Sequence, residues 1–466
     1  MKRILLVSLA FLVLTTTLIL VAVPYVLGFT IEEHYNHLLR AVSKPNTIEL
    51  KLVSYQRGWL TSDAVVEATI TNSNILKFTG QADNPQKPLS FTIKQHIEHG
   101  PVFQVSTRDQ PTRFLMGQAF ITSRADTAAG RIDSLTWIKL DGSLLNSVFS
   151  PQIEYHSPAF SMQAPQPAMT VWLLHNQQLT LHIDIPQLDI KTPQITQQVV
   201  NAHLRYQLSK QHSVQATDHL LTIDKIIWQQ TDATAPIIFN GLSIESRQRW
   251  DQQKMDTAIT ASLKEANVGH ASYGPQLIAA NINQLDIAAF QQVKEQLTLL
   301  RNNPNLSEGD IDTYQQRFYA LLAKGMEVQV QQFNLVTPWG SPSLRARITF
   351  MPQDITPTQF ADLLPAMDAA VQANIPATFL VRSLEKVYGM LIYHASTTDD
   401  PRFLYTATAN VDKASQQQIT EWVTKRWLLP KDNGYQVNFL YHNQQGVING
   451  EPWSLARAAP SLKQHP

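Results

Sequence analysis

The feature that most constrains this chain is the period of its hydrophobic pattern. From about residue 45 to 275, apolar and polar residues alternate. Ile48, Leu50 and Leu52 alternate with Glu49 and Lys51, and Phe91 and Ile93 with Thr92 and Lys94. The clearest run is Leu179, Leu181, Ile183 and Ile185, interleaved with Thr180, His182 and Asp184. Successive side chains of a strand point to opposite faces, so this pattern predicts strands with one apolar and one polar face, as in antiparallel sheet. Turn chemistry separates the runs, as at Asp83-Asn84-Pro85 and Asp141-Gly142.

Helical spacing flanks this region. Thr30 and Glu33 form a capping box ahead of a stripe of Ile31, Tyr35, Leu38, Leu39 and Val42. After Pro275, the sets Ile287, Phe290, Val293, Leu297, Leu300 and Ile311, Tyr314, Phe318, Leu321, Leu322 predict two helices, the second closed by Gly325 at its C′ position. Strands are expected at 326–336 and 343–350. Thr356-Pro357 then reads as the N-cap and first residue of a third helix, kinked or broken by Pro365, and Pro376 opens a fourth. Strands near 388–396 and 402–411, a helix over 415–427 and a closing pair at 435–441 and 446–450 complete the reading. A strand, a Trp-containing turn and a second strand occur around Trp59 and again around Trp339, a loose internal echo.

Residues 4–27 are 24 positions without Asp, Glu, Lys, Arg, His, Asn or Gln. As a helix they would extend roughly 36 Å, enough to cross a hydrocarbon core of about 30 Å. Lys2 and Arg3 precede the run, and Glu32 and Glu33 are the first charges after it, which sets the N-terminus in the cytoplasm. The competing reading is a cleaved signal peptide, but the run is longer than a usual signal core and no A-x-A pattern follows it. The expected fold class is therefore α+β: a single N-terminal transmembrane helix, then a large exported domain of mostly antiparallel sheet with amphipathic helices. Residues 1–29 are the tip and anchor, 30–275 a β-rich region and 276–466 a mixed α+β region, the last two separate or continuous.

Composition removes several functions. With 37 Lys+Arg against 37 Asp+Glu, the chain lacks the basic footprint of a nucleic-acid binder. With no cysteine it forms neither disulfides nor thiolate metal sites and has no Cys nucleophile. Ser383-Leu384-Glu385-Lys386 matches S-x-x-K but has no accompanying S-D-N or K-T-G. His34 and His37, and His96 and His99, lack the H-E-x-x-H arrangement of a zinc site and read as solvated surface histidines. Asp184 and Asp189 are a carboxylate pair that only a distance can judge, so the sequence neither supports nor excludes a glycosidase-type site. No cofactor and no metal is expected.

Several motifs in order carry a resemblance. After the N-terminal apolar run come Tyr55-Gln56-Arg57-Gly58-Trp59 and Ser62, then His99-Gly100-Pro101, Tyr273-Gly274-Pro275, and finally Gly446 and Asn449-Gly450. Together they resemble the YdgA-like family of Gram-negative envelope proteins, whose activity is not established. In a hairpin reading, Gly58 supplies a positive φ, Trp59 covers the sheet face and Pro101 turns the chain out of a strand. The default role of all these residues is structural, with Arg57 the one candidate ligand contact among them.

The functional expectation is a non-enzymatic, inner-membrane-anchored periplasmic protein that binds an amphiphile or scaffolds envelope assembly. Two alternatives stand beside it: an envelope hydrolase using carboxylates or a serine, and a purely structural homo-oligomer. The expected partners are the inner membrane through residues 4–27, a lipid or other amphiphile, and a second copy of the chain.

Overall fold

The computed structural model describes residues 47–453 apart from 71–88, 108–109, 212–213, 303–306, 396–400 and the single positions 158, 177, 234 and 252, together with residues 32, 35, 39, 40 and 43. Two compact units divide the chain: residues up to 210 with 220–236, and residues 211–219 with 237–466.

The first unit is an antiparallel meander. Its strands are β1 (Ile48–Arg57), β2 (Thr61–Ile70), β3 (Leu89–His99), β4 (Val102–Thr107), β5 (Gln110–Met116), β6 (Ala119–Thr127) and β7 (Gly130–Ile138). Next come β8 (Leu144–Phe149), β9 (Gln152–His156), β10 (Ser161–Pro165), β11 (Ala168–Leu173), β12 (Leu179–Lys191) and β13 (Ile195–Gln211). Strand β14 (Val214–Gln230) crosses the division between the units. β1, β2, β3, β6, β7 and β8 pair in that order, and the β4–β5 hairpin is set between β3 and β6 as a separate ribbon. Beyond β8 the order continues through β11 and β12 to β13. The core of this unit is one alternating face: Ala64 and Val66 of β2, Ile97 of β3, and Ala119 and Ile121 of β6, closed over by Tyr35. That is the face on which period-two alternation places the apolar residues.

The second unit is also a meander, made of β15 (Ile237–Trp250), β16 (Lys254–Val268), β17 (Ala271–Tyr273), β18 (Gln276–Asp286), β19 (Met326–Leu335), β20 (Ser343–Phe350) and β21 (Met367–Pro376). It closes with β22 (Leu429–Lys431), β23 (Gly434–His442), β24 (Gln445–Ile448) and β25 (Glu451–Trp453). Pairing runs β15, β16, β18, β19, β20, β21, β23, β24, β25, with β17 on β16 and β22 on β23. The helices are insertions between paired strands: α1 (Ile287–Asn302) and α2 (Glu308–Ala323) between β18 and β19, and α3 (Ala377–Ala395) and α4 (Pro401–Thr424), followed by the short β22, between β21 and β23. Helix α2 begins with a full capping box, Ser307 with Asp310, and the hydrogen bonds from Ser307 hold the Asp310 carboxylate below its usual range. It ends at Gly325, whose φ of +82° is the left-handed C′ geometry expected there. Leu321 and Leu322 of α2 and Val293 of α1 pack on Leu285, Met326 and Phe350 of the sheet, with Leu363 at the centre.

Three expectations are corrected. First, among the described residues strand outweighs helix by 61% to 19%, so the fold is a mostly antiparallel β protein with helical insertions rather than a member of the α+β class expected, although the mostly antiparallel sheet was anticipated. Second, the expected transmembrane helix is not found: among the described residues no helix is long and apolar enough to cross a membrane, and residues 4–27, where it was placed, lie outside them. The capping box at Thr30 and Glu33 and the turn at residues 83–85 also lie outside the described residues. Third, helix and strand are exchanged after residue 355. The third helix is a short 3-10 turn over Phe360–Ala366 containing Pro365, followed by strand β21, whereas the segments read as strands near 388–396 and 402–411 are helical. In β21, Ala369, Val371 and Ala373 alternate with Ala370, Gln372 and Asn374, and pairing on both edges outweighs the helix propensity of its alanines.

Candidate functional site

The motif residues of the first unit meet at one end of its core face. β1 and β2 turn at Gly58 and Trp59, and the register places Arg57 opposite Ser62 and Tyr55 opposite Ala64. Gly58 has no positive φ, contrary to the hairpin reading. What demands glycine is a close approach: a Cβ there would lie 2.8 Å from the carbonyl oxygen of Thr61, whose oxygen also accepts from the Gly58 N–H at 2.7 Å. Trp59 is 55% exposed. Arg57 forms an ion pair with Glu32 at 3.2 Å.

Below this turn lies a polar cluster within the core. Ser62 Oγ and His99 Nε2 are 2.9 Å apart, at 1% and 4% exposure. The Tyr55 ring stands 5.8 Å from that of Tyr35, and the Tyr35 hydroxyl donates to Gln95, whose amide donates to Ser123 at 2.9 Å. Burial raises the pKa of both phenols; for Tyr55 the Ser62 hydroxyl opposes the shift, Glu32 adds to it and Arg57 opposes it. His99 is thus a core residue, not the solvated histidine the sequence suggested. It shares its face with Ile97, two positions earlier on the strand.

A Ser–His pair at hydrogen-bond distance has the geometry of an activated nucleophile. Here a substrate carbonyl has no approach, because both groups are buried among Ala64, Ile97 and Ala119. The arrangement ties β2 to the end of β3. Replacing Ser62 by alanine is expected to cost about 1–3 kcal/mol by leaving the buried imidazole nitrogen without its hydroxyl partner. Chemical denaturation of the full chain checks this, and an unchanged midpoint would contradict a fastening role.

The remaining motifs also shape the backbone. The Gly100-Pro101 and Gly274-Pro275 peptide bonds are cis. Gly100 N–H donates to Gln118 O at 2.8 Å and Gly117 N–H to Pro101 O at 3.0 Å, which seats the β4–β5 ribbon beside β6. Gly274, at φ +131°, donates to Val336 O at 2.9 Å, and Tyr273 meets Trp339 edge to face. Asn449 accepts the Asn438 N–H at 2.7 Å and donates to Arg426 O and Trp427 O at 3.0 Å, so it clasps the chain leaving α4 to the β23–β24 pair; Gly450 follows at φ +88°. Of the motif residues, Tyr55, Arg57, Ser62 and His99 are brought together in the first unit, while Gly274, Pro275, Asn449 and Gly450 belong to the second.

Other candidates disperse. Ser383 lies within α3, and Lys386 sits over the Trp339 ring at 5.1 Å. His96 pairs with Asp63 at 2.8 Å; His34 and His37 lie outside the described residues. Asp184 and Asp189, five apart on β12, point to opposite faces, Asp184 to His203 and Asp189 to Gln198. Among the described residues no three metal-ligating side chains converge.

The surface with binding chemistry was not singled out in the sequence. In the second unit the register aligns Ile244, Ala261, Ile278, Phe333, Leu344, Ala373 and Val437 across seven strands. One step along the same face, Ile259, Ala280, Val330, Ala346, Val371 and Phe439 form a second apolar row. Further along, the rows run into the core under α1 and α2. On β15, β16 and β18 they emerge: Ile244, Ile259 and Ile278 are 37%, 41% and 44% exposed. Alanines stand between these isoleucines, leaving a shallow strip. Its end is polar, where Ser272 and Asn240 donate to Glu265 at 2.9 and 3.3 Å and, with Asn267, hold that carboxylate below its usual range.

No curated protein and no solved structure matches the chain. A family model described as a bacterial protein of unknown function, DUF945, matches residues 1–456, and the chain belongs to that bacterial family.

Proposed function

We propose that the protein binds an amphiphile, without chemical turnover, on the apolar face of its second unit. The observation that carries this reading is the in-register strip of Ile244, Ile259 and Ile278, exposed and separated by the small Ala261 and Ala280. Large aliphatic side chains in water are driven to cover themselves, at about 25 cal/mol per Å² of apolar surface. An acyl chain laid between them gains that energy, and the ionised Glu265 at the end of the strip accepts from a neutral headgroup that donates hydrogen bonds. The burial of Ser62 and His99 weighs against the hydrolase reading.

The test is titration of a fluorescent monoacylglycerol analogue, whose neutral headgroup carries hydroxyl donors, into the full chain. Saturable binding is expected, weakened about tenfold by Ile259→Glu, since one lost apolar contact of this size is worth about 1.4 kcal/mol, and unchanged by Leu140→Glu in the first unit. No saturable binding, or equal binding by the Ile259 variant, overturns the proposal. Self-association that Ile259→Glu abolishes, without monoacylglycerol binding, would put a second copy of the chain on this face instead. The motif order that resembles YdgA-like proteins supports an envelope setting as part of the same proposal; recovery of the chain with cytosolic proteins on cell fractionation would overturn that part.

A further inference from the structure

The opposite face of the same sheet has different chemistry. The register sets Arg345 opposite Gln372 and Gln372 opposite Asn438, while Ser343 faces Asn374 one step away. Two adjoining cavities open here, of about 440 and 310 Å³. The first is walled by Gln329, Arg347 and Leu440, the second by Gln332 and Asn334, and Arg345 and Gln372 line both. Each lies at the small end of the range for small-molecule sites.

The charges in this cleft are unequal. Arg347 is neutralised by Glu327 at 2.5 Å, and Asp368, farther along the face, pairs with His442 at 2.8 Å. Arg345 has no carboxylate partner among the described residues. One guanidinium is therefore left to face the cleft, surrounded by side-chain amides that both donate and accept. Amides match hydroxyl groups, which also do both, and a guanidinium matches a carboxylate through paired N–H donors. Leu440, 57% exposed on the wall, offers an apolar surface to the C–H face of a sugar ring.

We propose that this cleft binds an acidic oligosaccharide, with Arg345 holding a uronate carboxylate and Gln372, Asn374 and Asn438 its hydroxyls. The site lies on the face opposite Ile259, so it stands or falls independently of amphiphile binding. Calorimetric titration of the full chain with a uronate-containing tetrasaccharide tests it, with an uncharged tetrasaccharide and inorganic phosphate as comparison probes. The uronate is expected to bind at least tenfold more tightly than either probe, and Arg345→Gln, a change at an exposed position, to weaken it at least tenfold with an unchanged thermal unfolding midpoint. Ile259→Glu is expected to leave it unchanged. Absence of uronate binding, equal binding of the uncharged sugar, equal binding of phosphate, or indifference to Arg345→Gln would each overturn the proposal.

Discussion

Replacing Gly100 by alanine is expected to be the most damaging single-methyl change in the first unit. The added Cβ would lie 1.8 Å from the carbonyl oxygen of Gly117 and 3.0 Å from that of Gln118. Both obstacles are backbone, so no side-chain rotation relieves the overlap. Nor does Gly117 have room to retreat, since its own Cβ position is 2.5 Å from Ile138 O and from the Trp137 indole nitrogen. Relief requires parting β3 from the β4–β5 ribbon, with loss of the Gly100 to Gln118 and Gly117 to Pro101 hydrogen bonds. The expected loss is about 4 kcal/mol or more, in the range reserved for severe packing failures. Gly269→Ala is the comparison: φ is +61° there but nothing lies within 4 Å, so only the left-handed backbone cost of about 1–2 kcal/mol applies. Urea titrations of both variants decide the matter; equal midpoints would show that Gly100 is not a contact point.

Leu363→Ala is expected to cost about 2–5 kcal/mol, the range for emptying a fully buried leucine site. Leu363 has no exposed surface and sits in the short 3-10 turn between β20 and β21, in one cluster with Leu321 and Leu322 of α2 and Phe350 of β20. Rigid sheet lies on one side and a helix pair on the other, so the void closes poorly. Leu299→Ala on α1, where the side chain is 62% exposed, is expected to change stability by less than about 0.5 kcal/mol. A thermal scan showing similar shifts for the two would mean that the second unit does not depend on this cluster.

Much of the local structure is legible because it depends on near neighbours. Alternation at 48–52 and 179–185 marks β1 and β12, and one-sided spacing marks α1 and α2, with Gly325 closing the latter. Where two periods compete, local reading fails. The alanine-rich segment 367–376 is a strand because β20 and β23 pair with its two edges, a fact held in residues up to 72 positions away. The candidate sites are less legible still. His99 joins Ser62 across 37 positions of chain, and the isoleucine strip and the Arg345 cleft are each assembled from several strands.

The amino-acid sequence alone therefore determined which residues lie on a common face, because the two-residue period of a strand is a property of its own backbone. Only the tertiary structure decided which faces line up, because a one-residue slip in pairing would send every side chain of a strand to the other side. The rows of isoleucine and alanine, the buried Ser62–His99 pair and the cleft around Arg345 all depend on that register.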